Sequence, residues 1–126
     1  MNINNLKNDF LELVPELKCD YEEQKEINYL DDSDGNYIIW GMGLMPGIIK
    51  LLSDLDMNKN VLERVFVFLE MMANSDEEIK ELLMYGILER LGDCKQVLEK
   101  SKSLMGPKTL KCSQDIEKFL GRVFNE

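Results

Sequence analysis

The sequence predicts an all-α protein, on three observations. Apolar residues recur at helical spacing from Pro46 to the C-terminus. Capping and breaking residues (Ser75-Asp-Glu-Glu78, Gly92, Gly106-Pro107) fall between those stripes. The turns they mark are short, so successive helices, about six of them, lie antiparallel in a bundle or a short stack of helix pairs.

Taken in order, Ile3, Leu6, Phe10, Leu13 and Val14 make a first amphipathic helix, and Pro15 starts a second, acidic one with Leu17, Tyr21 and Ile27. Asp31-Asp-Ser-Asp-Gly-Asn36 is a loop by composition. Residues 27–40 leave two readings. Tyr37–Trp40 is a short strand paired with Ile27–Leu30, or an irregular lead into the helix that Pro46 begins. The second is favoured, because an isolated two-stranded hairpin is marginal in water. Ile48, Ile49, Leu52 and Leu55 form the stripe of the Pro46 helix. Val61, Leu62, Val65, Phe66, Leu69, Met72 and Ala73 make a nearly perfect one-faced helix, with Asn60 and Glu63 as its capping pair. Ser75 and Glu78 have capping-box spacing and open the next helix. Ile79, Leu82, Leu83, Met84, Tyr85, Ile87, Leu88 and Leu91 wrap most of its circumference, which marks it as central. Gly92 ends that helix as a C′ glycine, and Asp93 caps one that turns Val97, Leu98, Leu104 and Met105 inward. A last helix, begun through Ser113, turns Ile116, Phe119, Leu120, Val123 and Phe124 inward.

The 126 residues fit one domain, 1–126, long enough to bury a core without disulfides or a structural metal. Its 24 acids and 15 bases give a net charge of −9, and that charge is unevenly spread. Residues 1–36 hold ten acids against three lysines, while residues 37–126 form a near-neutral body. Such a balance argues against gripping nucleic-acid backbones or anionic membranes. The absence of histidine removes Ser-His and Cys-His nucleophile pairs, histidine metal ligands and an imidazole base. Cys19, Cys94 and Cys112 are odd in number and widely spaced, which predicts no disulfide framework or zinc site. They are expected as free, partly buried thiols in a reducing cytosol. The N-terminus lacks the basic start and continuous apolar run of a signal peptide, and Tyr37–Ile49 is too short and too broken to span a membrane.

The motifs that invite chemistry fail on inspection. In a calcium-loop frame with Gly35 at the sixth position, Leu30 and Gly41 stand where the first ligand and the bidentate glutamate belong. Gly41-Met-Gly43-Leu-Met-Pro46-Gly47 lacks the Gly-Lys-Ser/Thr of a phosphate loop and has proline where a dinucleotide fingerprint needs glycine or alanine. The carboxylate clusters Asp31, Asp32, Asp34 and Glu22, Glu23, Glu26 have polar neighbours, unlike acids tuned for proton transfer. The basic cluster Lys100, Lys102, Lys108 and Lys111 is too sparse for nucleic acid. No catalytic residue, cofactor or metal ligand is expected. Met71, Met72, Met84 and Met105 read as core. Met42, Met45, Trp40 and Tyr37, if exposed, would make an apolar patch rimmed by acids, as partner-binding sites tend to be.

Several strings carry a family resemblance: Val14-Pro-Glu-Leu17, Trp40-Gly41, Phe68-Leu-Glu-Met-Met-Ala73, Ser75-Asp-Glu-Glu78, Leu88-Glu-Arg-Leu-Gly92 and Met105-Gly-Pro107 with Thr109-Leu110. Their order resembles a family of small, acidic, all-helical bacterial proteins whose members look like toxin-immunity proteins. It departs at Pro46, where a polar helix-starting residue is expected. The resemblance implies a helical fold and a cytoplasmic inhibitor of a delivered toxin, and it carries no site residues to transfer.

The expected function is therefore binding. An acidic face built from Glu16, Asp20, Glu22, Glu23, Glu26, Asp31, Asp32 and Asp34 meets the basic active site of a protein partner, anchored by an aromatic from Tyr21, Tyr29, Tyr37 and Trp40. The alternative is a helical adaptor or regulator that docks a peptide or protein in a groove.

Overall fold

The computed structural model describes residues 1–122, and among them it is helical with no strand. A capped 3₁₀ turn, Ile3–Asn5, leads into α1 (Leu6–Leu13). A second turn, Pro15–Leu17, leads into α2 (Lys18–Ile27). Then come α3 (residues 36–52), α4 (Lys59–Ala73), α5 (residues 77–91), α6 (Lys95–Lys102) and α7 (Pro107–Phe119). α4 touches α1, α3, α5 and α7, α3 touches α2, α4, α5 and α6, and α5 touches α3, α4, α6 and α7. These three carry the packing, α5 as the central helix its sequence predicts. No helix among the described residues is long and apolar enough to cross a membrane.

The segment expected as an irregular lead is the first half of α3. Gly35, in extended conformation, accepts the first helical bonds from Ile38 and Ile39 N–H, both at 3.0 Å. Ile39 and Trp40 then bury completely, and that burial outweighs the roughly 1 kcal/mol that each of Gly41 and Gly43 costs a helix. Ile39–Leu44 is wound as a π-helix, with Met45 N–H reaching back to Trp40 O. The wider turn admits Pro46 without breaking the run. A proline cannot donate to the carbonyl four residues before it, here that of Met42. α5 carries a second π segment, Leu82–Leu88, which accounts for a sequence that is apolar almost all round.

Three rings join three helices at the centre. Phe10 of α1 lies 5.0 Å from Trp40 of α3 and 5.3 Å from Phe68 of α4, and Trp40 stacks on Phe68 at 6.2 Å. Each such pair adds about 1 kcal/mol beyond the area it buries. The Trp40 indole N–H, which needs an acceptor when buried, finds none among the described residues.

Several local expectations are corrected. Asp76, not Ser75, caps α5, its carboxylate accepting from Ile79 N–H at 3.0 Å. α4 starts after Asn58, which leaves Asn60 inside its first turn. Gly92 has φ −79° and so is not a left-handed cap, and the residue before α6 is Cys94, not Asp93. Ser113 lies buried within α7, because Pro107 sets the helical φ and starts that helix earlier. Met45 and Trp40 are core, so they leave the proposed apolar patch, whereas Met71, expected in the core, is exposed. Of the cysteines only Cys112 is buried, and burial pushes its thiol up. Phe119 points outward, and Val123 and Phe124 lie outside the described residues.

α7 has no cap of its own, since the residue before Pro107 is Gly106. Glu70 of α4 supplies one across the interface. Its carboxylate accepts from Thr109 N–H (2.8 Å), Thr109 Oγ1 (2.7 Å) and Lys108 N–H (3.1 Å). Burial alone would raise this carboxyl, but the bonds from Thr109 and Lys108 outweigh it and hold the pKa below 4.5. A Cβ on Gly106 would stand 2.5 Å from the Glu70 carboxyl carbon, so the approach needs glycine. Glu70→Ala and Gly106→Ala are each expected to cost about 2 kcal/mol, a lost cap plus buried N–H groups left unpaired. Urea midpoints check this, and an unchanged midpoint in either variant contradicts the cross-helix cap.

Candidate functional site

Two local facts shape the acidic N-terminal third. α2 buries Tyr21 on one side and leaves Glu22, Glu23 and Glu26 exposed on the other. Its end is a Schellman turn in which Asn28 N–H bonds Gln24 O at 2.9 Å and Leu30 N–H reaches Lys25 O at 2.8 Å. The residue that turns left-handed there, normally glycine, is Tyr29, at φ 54°. Its side chain is 94% exposed, so nothing in the fold repays a strain of about 1 kcal/mol.

The turn is fastened to the body twice. The Asn28 amide donates to Met42 O at 3.4 Å, the carbonyl to which Pro46, four residues on, cannot donate. Asp32 accepts from Tyr21 Oη (2.9 Å), Lys25 Nζ (3.0 Å) and Lys7 Nζ (3.3 Å), which draws the loop onto α1 and α2. The Lys25 bond, then the Tyr21 bond, lower the Asp32 carboxyl to about 2. The same bond raises Lys25, while burial, reinforced by Asp32, raises the Tyr21 phenol. Both lysines also stand 5.4 Å from the Tyr21 ring centre.

The acids expected to form one face are thus divided by role. Asp32 belongs to this knot. Glu16 grips Arg64 of α4 with both carboxylate oxygens, and that hydrogen bonding lowers its pKa. Asp31 accepts from Ser33 N–H and Oγ, both at 2.9 Å, and Asp34 accepts from Asp31 N–H at 2.9 Å, so both carboxylates shape the loop itself. Asp20 is half-buried against Gly47. Glu22, Glu23 and Glu26 remain facing water, with Lys25 3.4 Å from Glu22 as the one ion pair they make among the described residues.

The aromatic anchors divide too. Tyr21 and Trp40 are buried and so are corrected out of any contact surface, while Tyr29 and Tyr37 are exposed. Tyr37 sits in different surroundings from α2. A Cβ on Gly86 of α5 would lie 3.3 Å from its ring, and burial, then the neighbouring Glu81, Tyr85 and Glu78, raise its phenol. Ile27, Ile38, Tyr85 and Phe119 are exposed apolar residues that the sequence reading placed inside or passed over. The signal for Tyr85 was its spacing, four residues after Glu81 and four before Glu89, which puts it on a charged side of its helix.

A cleft of about 530 Å³ between α6 and α7 is lined by Leu98, Ser113, Gln114, Glu117 and Arg122. Within it Arg122 bonds Asp93 at 2.7 Å and Glu117 at 2.6 Å. Among the described residues no group of three or more acids or cysteines is arranged to hold a metal ion.

A model of DUF7674, a domain of unknown function, matches residues 7–121, and the chain belongs to that family. No curated protein and no solved structure matches it.

The Asp32 knot has a pH signature. A carboxyl lowered in the folded state stabilises it above the unfolded value of 3.8, and that contribution is lost as the pH falls towards about 2. Asp32→Asn is expected to cost about 1 kcal/mol near neutrality, a modest figure because solvent screens this half-exposed group. The difference from the parent should shrink through that acid window. Denaturant titration across the window checks it, and a difference constant with pH contradicts the knot.

Proposed function

We propose that this member of the DUF7674 family is a small cytosolic binding protein, an immunity-type inhibitor that occludes the basic active site of a bacterial toxin. The observation that carries the reading is Tyr29: an aromatic held in a left-handed turn and almost wholly in water, at the end of the helix that presents Glu22, Glu23 and Glu26. A glycine there would serve the fold better, so the tyrosine is accounted for by something it touches outside the chain. Exposed carboxylates speed and orient the encounter with a cationic cleft, and a rigidly held aromatic supplies the anchor. The acids used internally, Glu16 and Asp32, hold that surface in shape and do not face the partner.

The second reading, a helical adaptor, is favoured by the cleft between α6 and α7, whose lining combines Leu98 with polar side chains. It makes no use of α2, and this separates the two.

Tyr29→Gly should stabilise the free protein by about 1 kcal/mol, because glycine adopts φ 54° without strain. The same change should weaken binding to the partner recovered from source cells by about 30-fold, the loss expected of an anchor worth 2 kcal/mol. Glu22→Gln/Glu23→Gln/Glu26→Gln should slow association and flatten its salt dependence. Unchanged affinity in both variants would sink the α2 reading and favour the groove.

A further inference from the structure

Away from α2, the exposed aromatics are not scattered. Tyr85 of α5 and Phe119 at the end of α7 meet edge to face, ring centres 6.0 Å apart. Tyr37 of α3 lies against Gly86, the residue after Tyr85. The three rings thus come from three helices. Tyr85 and Phe119 pack on each other, and Tyr37, beside Gly86, is near enough to Tyr85 for the two phenols to interact. Phe119 is 72%, Tyr37 49% and Tyr85 40% exposed. Neither phenol makes a hydrogen bond among the described residues. The charge around the three rings is acidic. Glu78 and Glu81 act on the Tyr37 phenol, and Glu81 and Glu89 flank Tyr85 at helical spacing. None of these three carboxylates has an ion pair among the described residues, and Lys118, beside Phe119, is the cation next to the rings in sequence.

We propose that the Tyr37–Tyr85–Phe119 group is a second docking surface, and that its occupant is a basic, partly apolar segment of a partner protein. The chemistry fits a guanidinium or ammonium group on both counts. An aromatic face attracts a cation electrostatically, most strongly where the cation also meets a carboxylate. Apolar side chains of the same segment cover the ring edges, and backbone or side-chain groups satisfy the two phenol hydroxyls. An acidic or purely apolar occupant would leave Glu78, Glu81 and Glu89 uncompensated beneath it. The inference goes beyond the α2 reading and needs no residue that α2 contributes.

The test is titration of the full chain with a fluorescein-labelled peptide of alternating arginine and leucine, read by anisotropy, with the matching glutamate–leucine peptide as control. Micromolar binding of the basic peptide alone is expected. Tyr85→Ala/Phe119→Ala should weaken it tenfold or more at unchanged net charge, as should Glu78→Gln/Glu81→Gln, while Tyr85→Phe should keep most of it. Circular dichroism confirms that each variant folds, which their exposure makes the expected result. Glu22→Gln/Glu23→Gln/Glu26→Gln should leave the affinity within about twofold. No binding of the basic peptide, equal binding by the ring-deleted variant, or loss with the α2 variant instead would each overturn the proposal, the last two assigning the effect to overall acidity. Self-association abolished by Tyr85→Ala/Phe119→Ala would assign the surface to a second copy of the chain and overturn it as well.

Discussion

The arrangement of this molecule depends on how closely α2 can approach the backbone of α3. The Tyr21 ring rests on Gly43, where a Cβ would stand 2.8 Å from its Cε1. From that position its hydroxyl reaches Asp32 and gathers Lys7 and Lys25 around it. Two turns further along, Asn28 takes the Met42 carbonyl, to which Pro46 cannot donate. The glycines, the proline and the π winding of α3 are therefore one device. They expose backbone to a neighbouring helix, the one that presents Glu22, Glu23 and Glu26.

This view changes what the net charge of −9 means. The acids of the first 36 residues look alike in the sequence, but in the fold seven of the ten divide among three uses. Asp32 and Glu16 tie α2 and its lead-in to the body, and Asp31 and Asp34 shape a loop. Glu22, Glu23 and Glu26 are left for solvent or a partner. A negative field that is rigidly aimed is worth more to association than the same charge on a mobile tail, because less ordering is required on binding.

The helices were legible because their signals are local. The stripe from Leu62 to Met72 is buried as its spacing requires, and Pro107 starts a helix as proline at a first turn should. What escaped were the features set by distant partners. Tyr37–Trp40 looked irregular because glycines follow it, and only burial against Phe10 and Phe68 makes it helical. Gly106 looked like a plain breaker, because its cap arrives from Glu70, 36 positions earlier. The anchors divided for the same reason. Tyr21 and Tyr29 are both aromatics among acids, and nothing local says that the first is seated on a glycine of another helix. Tyr85, within the π segment of α5, and Phe119, at the last position of α7, both sit on apolar stripes of the sequence yet lie exposed.

The claim that α2 is held in shape through Gly43 is tested most directly by hydrogen exchange on Gly43→Ala. The added methyl must displace the Tyr21 ring, which loosens both α2 and the Asp32 knot. Exchange should speed up across residues 18–34 while α4, which enters the aromatic triad through Phe68, keeps its protection. Unchanged protection over residues 18–34, or an equal loss throughout the chain, would contradict it.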